Sequence, residues 1–490
     1  MSYGSSLIAE RNCGRDDTGG SMRYDTKFCL ELRGCSMRRA CLPLCLAASA
    51  LLSACSSTRP WVNPPLKAGE KVRYDGRAQF VDPARAQDLL VVASFSGGGS
   101  RAAAFAHATI SELDRLRFQW EEQETSLVQQ IDMVAGVSGG SVAAAHLALH
   151  GVNDHIARFA ADFLKVDFES QLIGAALNPA NAYRMTSPWT GRGNLLADEF
   201  DALLFGGTTF GRLGELPGRP YLIVGATDLS TGAEFDFASD QLLMLCSSID
   251  LVPLAFAVAS SSSVPLVFSP LSLTNHSRAC PASGEKQPSS APAASSTARA
   301  KLVQSEFDSF ADDGKRFVHL VDGGLSDNLG LRRISDYVVQ AGGVRPVLAL
   351  LQGDAKESLP RRIVFVSVNA ERRAPLPLDQ MAEVPNSLDV LGAMIYGGLG
   401  RYSRETSLIF AAAVEDWRRE LQSVAVDVDI FSIEINLSDL DDRELREKVL
   451  AIPTSFRISD EDRSLLQSAA RLSLAQNPEL RRFLESTKPR

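Results

Sequence analysis

Short apolar runs punctuate the middle of this chain. Asp88–Phe95, Ile131–Ala135, Tyr221–Thr227, Phe317–Val321 and Ile363–Asn369 are each nearly free of charge and bounded by turn residues. Unbroken runs of this length suit strands buried on both faces. Ala233–Phe237 alternates after a turn at Thr231-Gly232, as a hairpin partner would, and Val426–Ile435 alternates as a further strand. Helical stretches lie between. The alanine-rich 102–116, then 141–150, an irregular 152–215 and the apolar 251–259 come first. A helix is expected near Gly330, a long one over Ser387–Glu420 weakened at Gly397-Gly398, and more over 438–485, where Ser459–Asp462 reads as a capping box. Strands alternating with helices predict an α/β protein, a three-layer α/β/α sandwich with a mostly parallel central sheet.

The N-terminal part follows another pattern. Met37-Arg-Arg39 is a basic start, 40–52 is apolar but too short to span a bilayer, and Leu52-Ser-Ala-Cys55 follows. This order resembles a bacterial lipoprotein signal. The resemblance implies cleavage before Cys55, acylation of Cys55, and membrane attachment in the cell envelope, with Ser56 pointing to the outer membrane facing the periplasm. Residues 1–36 do not fit ahead of such a signal, so Met37 is expected to be the true start. Residues 55–87 then form a tether and entry segment. The formal net charge is −9 with no long basic run, so nucleic acid is excluded as a partner. Downstream of Cys55 only Cys246 and Cys280 remain of the 8 cysteines. In an oxidising compartment they are expected to form one disulfide, the alternative being two buried thiols.

Three loops follow apolar strands and bring the chemistry. Gly97-Gly-Gly99 offers bare backbone amides, Gly136-Val-Ser-Gly-Gly140 a hydroxyl on a tight strand-to-helix turn, and Asp322-Gly-Gly324 a carboxylate. In an open α/β sheet such loops converge at the carboxyl edge. An oxyanion hole, a nucleophile and a proton acceptor are what acyl transfer needs.

The set resembles the patatin-like phospholipase family, whose motifs are G-G-G-x-[K/R]-G, G-x-S-x-G and D-G-[G/A]. Here they read Gly97–Ala102, Gly136–Gly140 and Asp322–Gly324, with Ala102 standing where the family has glycine. Ala226–Gly232 and Ala259–Pro265 are also similar to family segments. The resemblance implies lipid acyl hydrolysis on phospholipid-type esters by a Ser138–Asp322 dyad, with no histidine and no cofactor. It implies an oxyanion hole built from Gly97, Gly98, Gly99 and Arg101, with Arg101 bracing that loop or meeting a phosphate, the alternative being a solvated residue at the helix start. The catalytic domain spans 88–345, with a Ser/Ala/Pro-rich insertion at 281–300, and 346–490 form a C-terminal α/β extension packed on it.

Other readings compete. A Ser/Asp/His hydrolase needs a late histidine, and nothing follows His319, which lies three residues before Asp322 in the same strand and so points to the opposite face. His146 and His150 stand four apart on a helix but lack H-E-x-x-H or a third ligand, so no metal site is expected. Gly97–Ala102 also fits a dinucleotide fingerprint, yet the region of Trp120–Glu124 is charged and reads as having no strand. A silent lipid- or protein-binding scaffold, or a general carboxylesterase or thioesterase, are the remaining alternatives.

Overall fold

The apolar runs pair into one sheet. The computed structural model describes residues 59–75, 88–121, 123–280, 297–311, 314–352, 360–372, 377–380, 382–423 and 427–488. Its strands are β1 (Leu89–Phe95), β2 (Phe118–Trp120), β3 (Gln123–Thr125), β4 (Ile131–Val137), β5 (Tyr221–Asp228), β6 (Glu234–Phe237), β7 (Leu271–Thr274), β8 (Phe317–Asp322), β9 (Arg362–Asn369) and β10 (Asp429–Asn436). The main sheet has the order β10-β9-β1-β4-β5-β8-β7, with β6 paired to β5. From β10 to β5 neighbouring strands run parallel. β2 and β3 form a separate antiparallel ribbon, so the charged stretch around Trp120 does contain strands, though none in the main sheet.

Alternate residues of the strands enter two different cores. Val91, Ala93 and Phe95 of β1 join Val364, Val366 and Val368 of β9 in one cluster. Val92, Ile363 and Phe365 join Leu329, Ile334, Phe410 and Trp417 in another. Successive side chains point to opposite faces, so two cores mean helices on both sides and three layers.

The site-bearing helices are α1 (Gly99–Arg115), α2 (Gly139–His150), α3 (Val152–Phe159), α4 (Phe168–Leu177), α5 (Pro179–Arg184), α6 (Leu254–Ser261), α7 (Ser387–Ser423) and α8 (Asp460–Gln476). α1 begins at Gly99, three residues before the expected Ala102. α7 runs unbroken through Gly397-Gly398, where an added Cβ would meet nothing within 4 Å. Its far half, with Phe410, Val414, Trp417 and Leu421 buried, carries it. Ser459 caps α8, its Oγ accepting from the Asp462 amide at 3.0 Å.

Two long-range features depart from the sequence reading. β8 runs antiparallel to β5 and overlaps only its last three residues, Ala226–Asp228. It therefore enters the carboxyl edge from outside and still delivers Asp322 there. Residues 346–490, expected as an extension, supply β9 and β10, and β9 sits between β1 and β10 in the main sheet. Cys246 and Cys280 are disulfide-bonded, ahead of the serine-rich insertion.

Candidate active site

Sheet register sets the first distance. Val137 of β4 pairs with Gly225 of β5, and Ala226 of β5 pairs with Asp322 of β8. Ser138, the next residue after Val137, thus falls in the row of Ala226 and Asp322. Its Oγ donates to Asp322 Oδ2 at 3.0 Å.

Ser138 has φ 50 and ψ −125. A non-glycine residue there costs roughly 1–3 kcal/mol and persists only if its surroundings hold it. They do. The Ser138 amide donates to Ser261 Oγ at 2.8 Å, and Ser261 Oγ donates to Gly225 O. The Ser138 carbonyl accepts from the amide and hydroxyl of Ser141, at 2.9 and 2.6 Å. The motif's glycines have steric reasons. A Cβ on Gly136 would lie 2.6 Å from Ser141 Cα, and one on Gly140 would lie 2.3 Å from Phe95 O.

Asp322 is held as firmly. Its amide donates to Ser263 O at 2.9 Å, and its carbonyl accepts from Thr227 Oγ1 at 2.9 Å. Gly324 N donates to Oδ1 at 2.8 Å. Burial pushes the carboxyl up to about 6, while the Gly324 amide and Ser138 hydroxyl pull partly the other way. A carboxylate tuned so is a usable base near neutral pH. Among the described residues no histidine bonds to either side chain. His319 pairs instead with Ser272 on β7, at 2.7 Å.

The glycine loop departs from expectation at both ends. The Gly97 amide donates to Asn328 O at 3.0 Å, so it is not available to an oxyanion. Gly97 supplies space instead: a Cβ there would lie 2.4 Å from Asn328 Oδ1 and 3.3 Å from Ser138 Cβ. Gly98 and Gly99 have φ +141 and +60, open to glycine. Their amides make no hydrogen bond to any described residue. They stand at the N-terminus of α1, where the helix dipole favours negative charge. The next amide, of Ser100, donates to Ser455 O at 2.8 Å.

Arg101 is buried, neither solvated nor open to a phosphate. Its Nε donates to Ala370 O at 2.9 Å and its Nη1 to Ile452 O at 2.6 Å. Burial lowers its guanidinium to about 10, which leaves it charged at neutral pH. A Cβ on Gly98 would meet Arg101 Nη2 at 3.0 Å, so the guanidinium underlies the loop. Arg101 is a brace, not a member of an oxyanion hole.

Several contributors carried no assigned role in the sequence reading. Thr227, Ser261 and Ser263 lie in the segments 226–232 and 259–265, and the run of four serines at 260–263 is the signal for the two serines. Asn328, Ala370, Ile452 and Ser455 had none, since each acts through its backbone. Cys55 lies outside the described residues. His146 and His150 gather with His107 and His155, and His146 Nδ1 meets His155 Nδ1 at 3.2 Å. Among the described residues no group of three or more His, Cys, Asp or Glu is placed to hold a metal ion, and no helix is long and apolar enough to cross a membrane.

Residues 93–333 match a family model described as patatin-like phospholipase. Human GIVD cytosolic phospholipase A2 is similar to the chain at 12% identity and TM-score 0.44, over 86% of this chain and 68% of that one. VipD from Legionella pneumophila is similar at 12% identity and TM-score 0.30, over 88% and 71%. No curated protein matches the chain in sequence.

Proposed function

Residues 93–333 form a patatin-like phospholipase domain, and from that premise we propose that the protein is a lipid acyl hydrolase in which Ser138 is the nucleophile and Asp322 the base. One observation carries the proposal: a strained serine whose Oγ donates to a buried carboxylate, 184 residues away in sequence, with no imidazole between them.

The steps follow from the groups present. Asp322 Oδ2 takes the proton from Ser138 Oγ as that oxygen attacks the ester carbonyl carbon. The carbonyl π electrons move to oxygen, and the Gly98 and Gly99 amides hold the oxyanion. Collapse breaks the bond to the alcohol, which leaves with the proton from Asp322. Water then attacks the acyl-enzyme and gives a proton to Asp322. Collapse of the second intermediate releases the fatty acid, and Ser138 regains its proton. A bound acyl chain keeps water off the buried carboxylate and so keeps it basic. The order of export signal, Cys55 and tether adds a place: acylated Cys55 anchors the protein in the cell envelope, at the outer membrane facing the periplasm.

A fluorophosphonate probe tests the proposal. The full chain is expected to label, Ser138→Ala to remain unlabelled, and phospholipid hydrolysis to vanish with the label. An unlabelled, inactive wild type would instead favour a lipid-binding scaffold.

A further inference from the structure

Helix α4 buries one residue, Phe168, and α5 buries none. Yet residues 170–183, which span both, carry no charge. An apolar helix face ordinarily turns inward. Here Ile173, Leu177 and Tyr183 are 55%, 78% and 53% exposed. Trp189, Leu266 and Val267 are exposed as well. The two groups are linked through Phe456, whose ring lies 5.7 Å from both Phe168 of α4 and Phe268, while Arg192 Nη2 donates to Leu266 O at 3.0 Å. Leu266 itself has φ +74. An exposed leucine held in the left-handed region is strained, and such strain concentrates where function requires it.

This surface flanks the candidate active site on two sides. Phe168 stacks on Phe200 at 4.8 Å and reaches Phe456 at 5.7 Å. Phe456 follows Ser455, whose carbonyl takes the Ser100 amide beside Gly99. On the other side, Ser263 stands three residues before Leu266 and takes the Asp322 amide.

We propose that the α4–α5 hairpin, with Trp189, Leu266 and Val267, is the face by which the protein lies on a zwitterionic phospholipid bilayer. The proposal rests on the reading of Ser138 and Asp322 as a lipid-ester site. Two observations choose this occupant. Among the described residues the patch has scattered, engaged arginines and no basic cluster to gather anionic headgroups: Arg184 is paired with Asp198 at 2.7 Å, Arg192 donates to Leu266 O, and Arg59 lies over the Trp189 ring at 5.0 Å. The patch also borders the Ser138–Asp322 pair. A folded partner seated there would stand between the pair and its substrate, whereas a bilayer there is the substrate. Apolar side chains of an interfacial helix enter the headgroup and acyl boundary by roughly 5–10 Å. Tyr183 and Trp189 are the residue types that favour that boundary.

The test uses the full chain with Cys55→Ser in every sample, so that no acyl chain contributes to binding. Flotation with phosphatidylcholine vesicles is compared between this protein and the same protein with Ile173→Asp and Leu177→Asp. Vesicle partitioning and hydrolysis of vesicle lipid are expected to fall about ten-fold or more. Hydrolysis of soluble p-nitrophenyl butyrate and fluorophosphonate labelling are expected to stay within about two-fold, since neither side chain touches the pair. Leu266→Gly gives an independent reading. It is expected to raise the melting temperature, because glycine accepts φ +74, and yet to weaken flotation. The proposal is overturned if the variants float as the parent does or the parent does not float. It is overturned too if light scattering shows a parent dimer that the aspartates split, since the face would then join two copies. Flotation without any labelling or ester hydrolysis would support the docking face and sink the enzymatic reading.

Discussion

Gly139 and Gly99 touch backbone to backbone. A Cβ on Gly139 would lie 1.9 Å from the Gly99 carbonyl oxygen and 2.5 Å from its carbonyl carbon. The loop that carries Ser138 and the loop that carries the Gly98 and Gly99 amides are thereby locked at a fixed separation. The side chain that Gly139 lacks thus sets where Ser138 stands relative to the Gly98 and Gly99 amides.

Gly139→Ala is expected to push the glycine loop away while leaving the Ser138–Asp322 hydrogen bond in place. Loss of one oxyanion donor costs about 10²–10³ in rate, so kcat should fall by that order with KM little changed. Steady-state kinetics on a soluble ester checks this. A kcat within about three-fold of the parent would refute the argument that this contact aligns the amides.

Activity is expected to rise with pH around a midpoint of about 6, where burial has pushed the Asp322 carboxyl, because only the ionised form can accept the Ser138 proton. The stability effect has the opposite sense. The folded carboxyl binds its proton more tightly than an unfolded one near 3.8, so stability is lost as pH rises from there through about 6. Asp322→Asn should therefore abolish activity and yet raise stability at pH 8, by on the order of 1–3 kcal/mol, with no gain at pH 4. Urea unfolding at the two pH values measures it. A destabilised variant at pH 8 would contradict the buried charge.

Arg101→Lys retains the charge but not the fork that reaches Ala370 O and Ile452 O together. One buried carbonyl is left without its donor, at a cost of about 1–3 kcal/mol. The melting temperature and kcat should both drop, with KM little changed. A direct role on substrate phosphate would instead raise KM for phospholipids alone.

The histidine cluster predicts acid lability. Burial lowers His107 and His146 to about 4 and His155 well below its ordinary value. The neighbouring histidines push His155 and His146 the same way, as do Arg463 on His107 and Arg158 on His146, while Asp162 opposes on His146. The folded state thus binds fewer protons than the unfolded one, whose histidines titrate near 6.5. Stability is complete above that value and is lost as pH falls towards about 4. His155→Phe should narrow the gap in melting temperature between pH 7.5 and pH 5. An unchanged gap would remove His155 from the account.

What local pattern alone determined is the set of parts. The apolar runs declared the strands of a parallel sheet, because burial on both faces leaves no room for charge. The glycines around Ser138 declared a crowded turn, and the chemistry of three loops named Ser138 and Asp322. Tertiary structure decided how the parts are used. The direction of β8 depends on pairing with β5 and β7, which no periodicity encodes. The Gly97 amide is taken by Asn328 O, and Arg101 by Ala370 O and Ile452 O, from as far as 351 residues away. Those acceptors are main-chain carbonyls, which every residue has, so residue identity does not mark them. The exposure of Ile173 and Leu177 was hidden for a related reason: an apolar helix reads alike whether its face meets a core or the outside, and only the packing of its neighbours decides which.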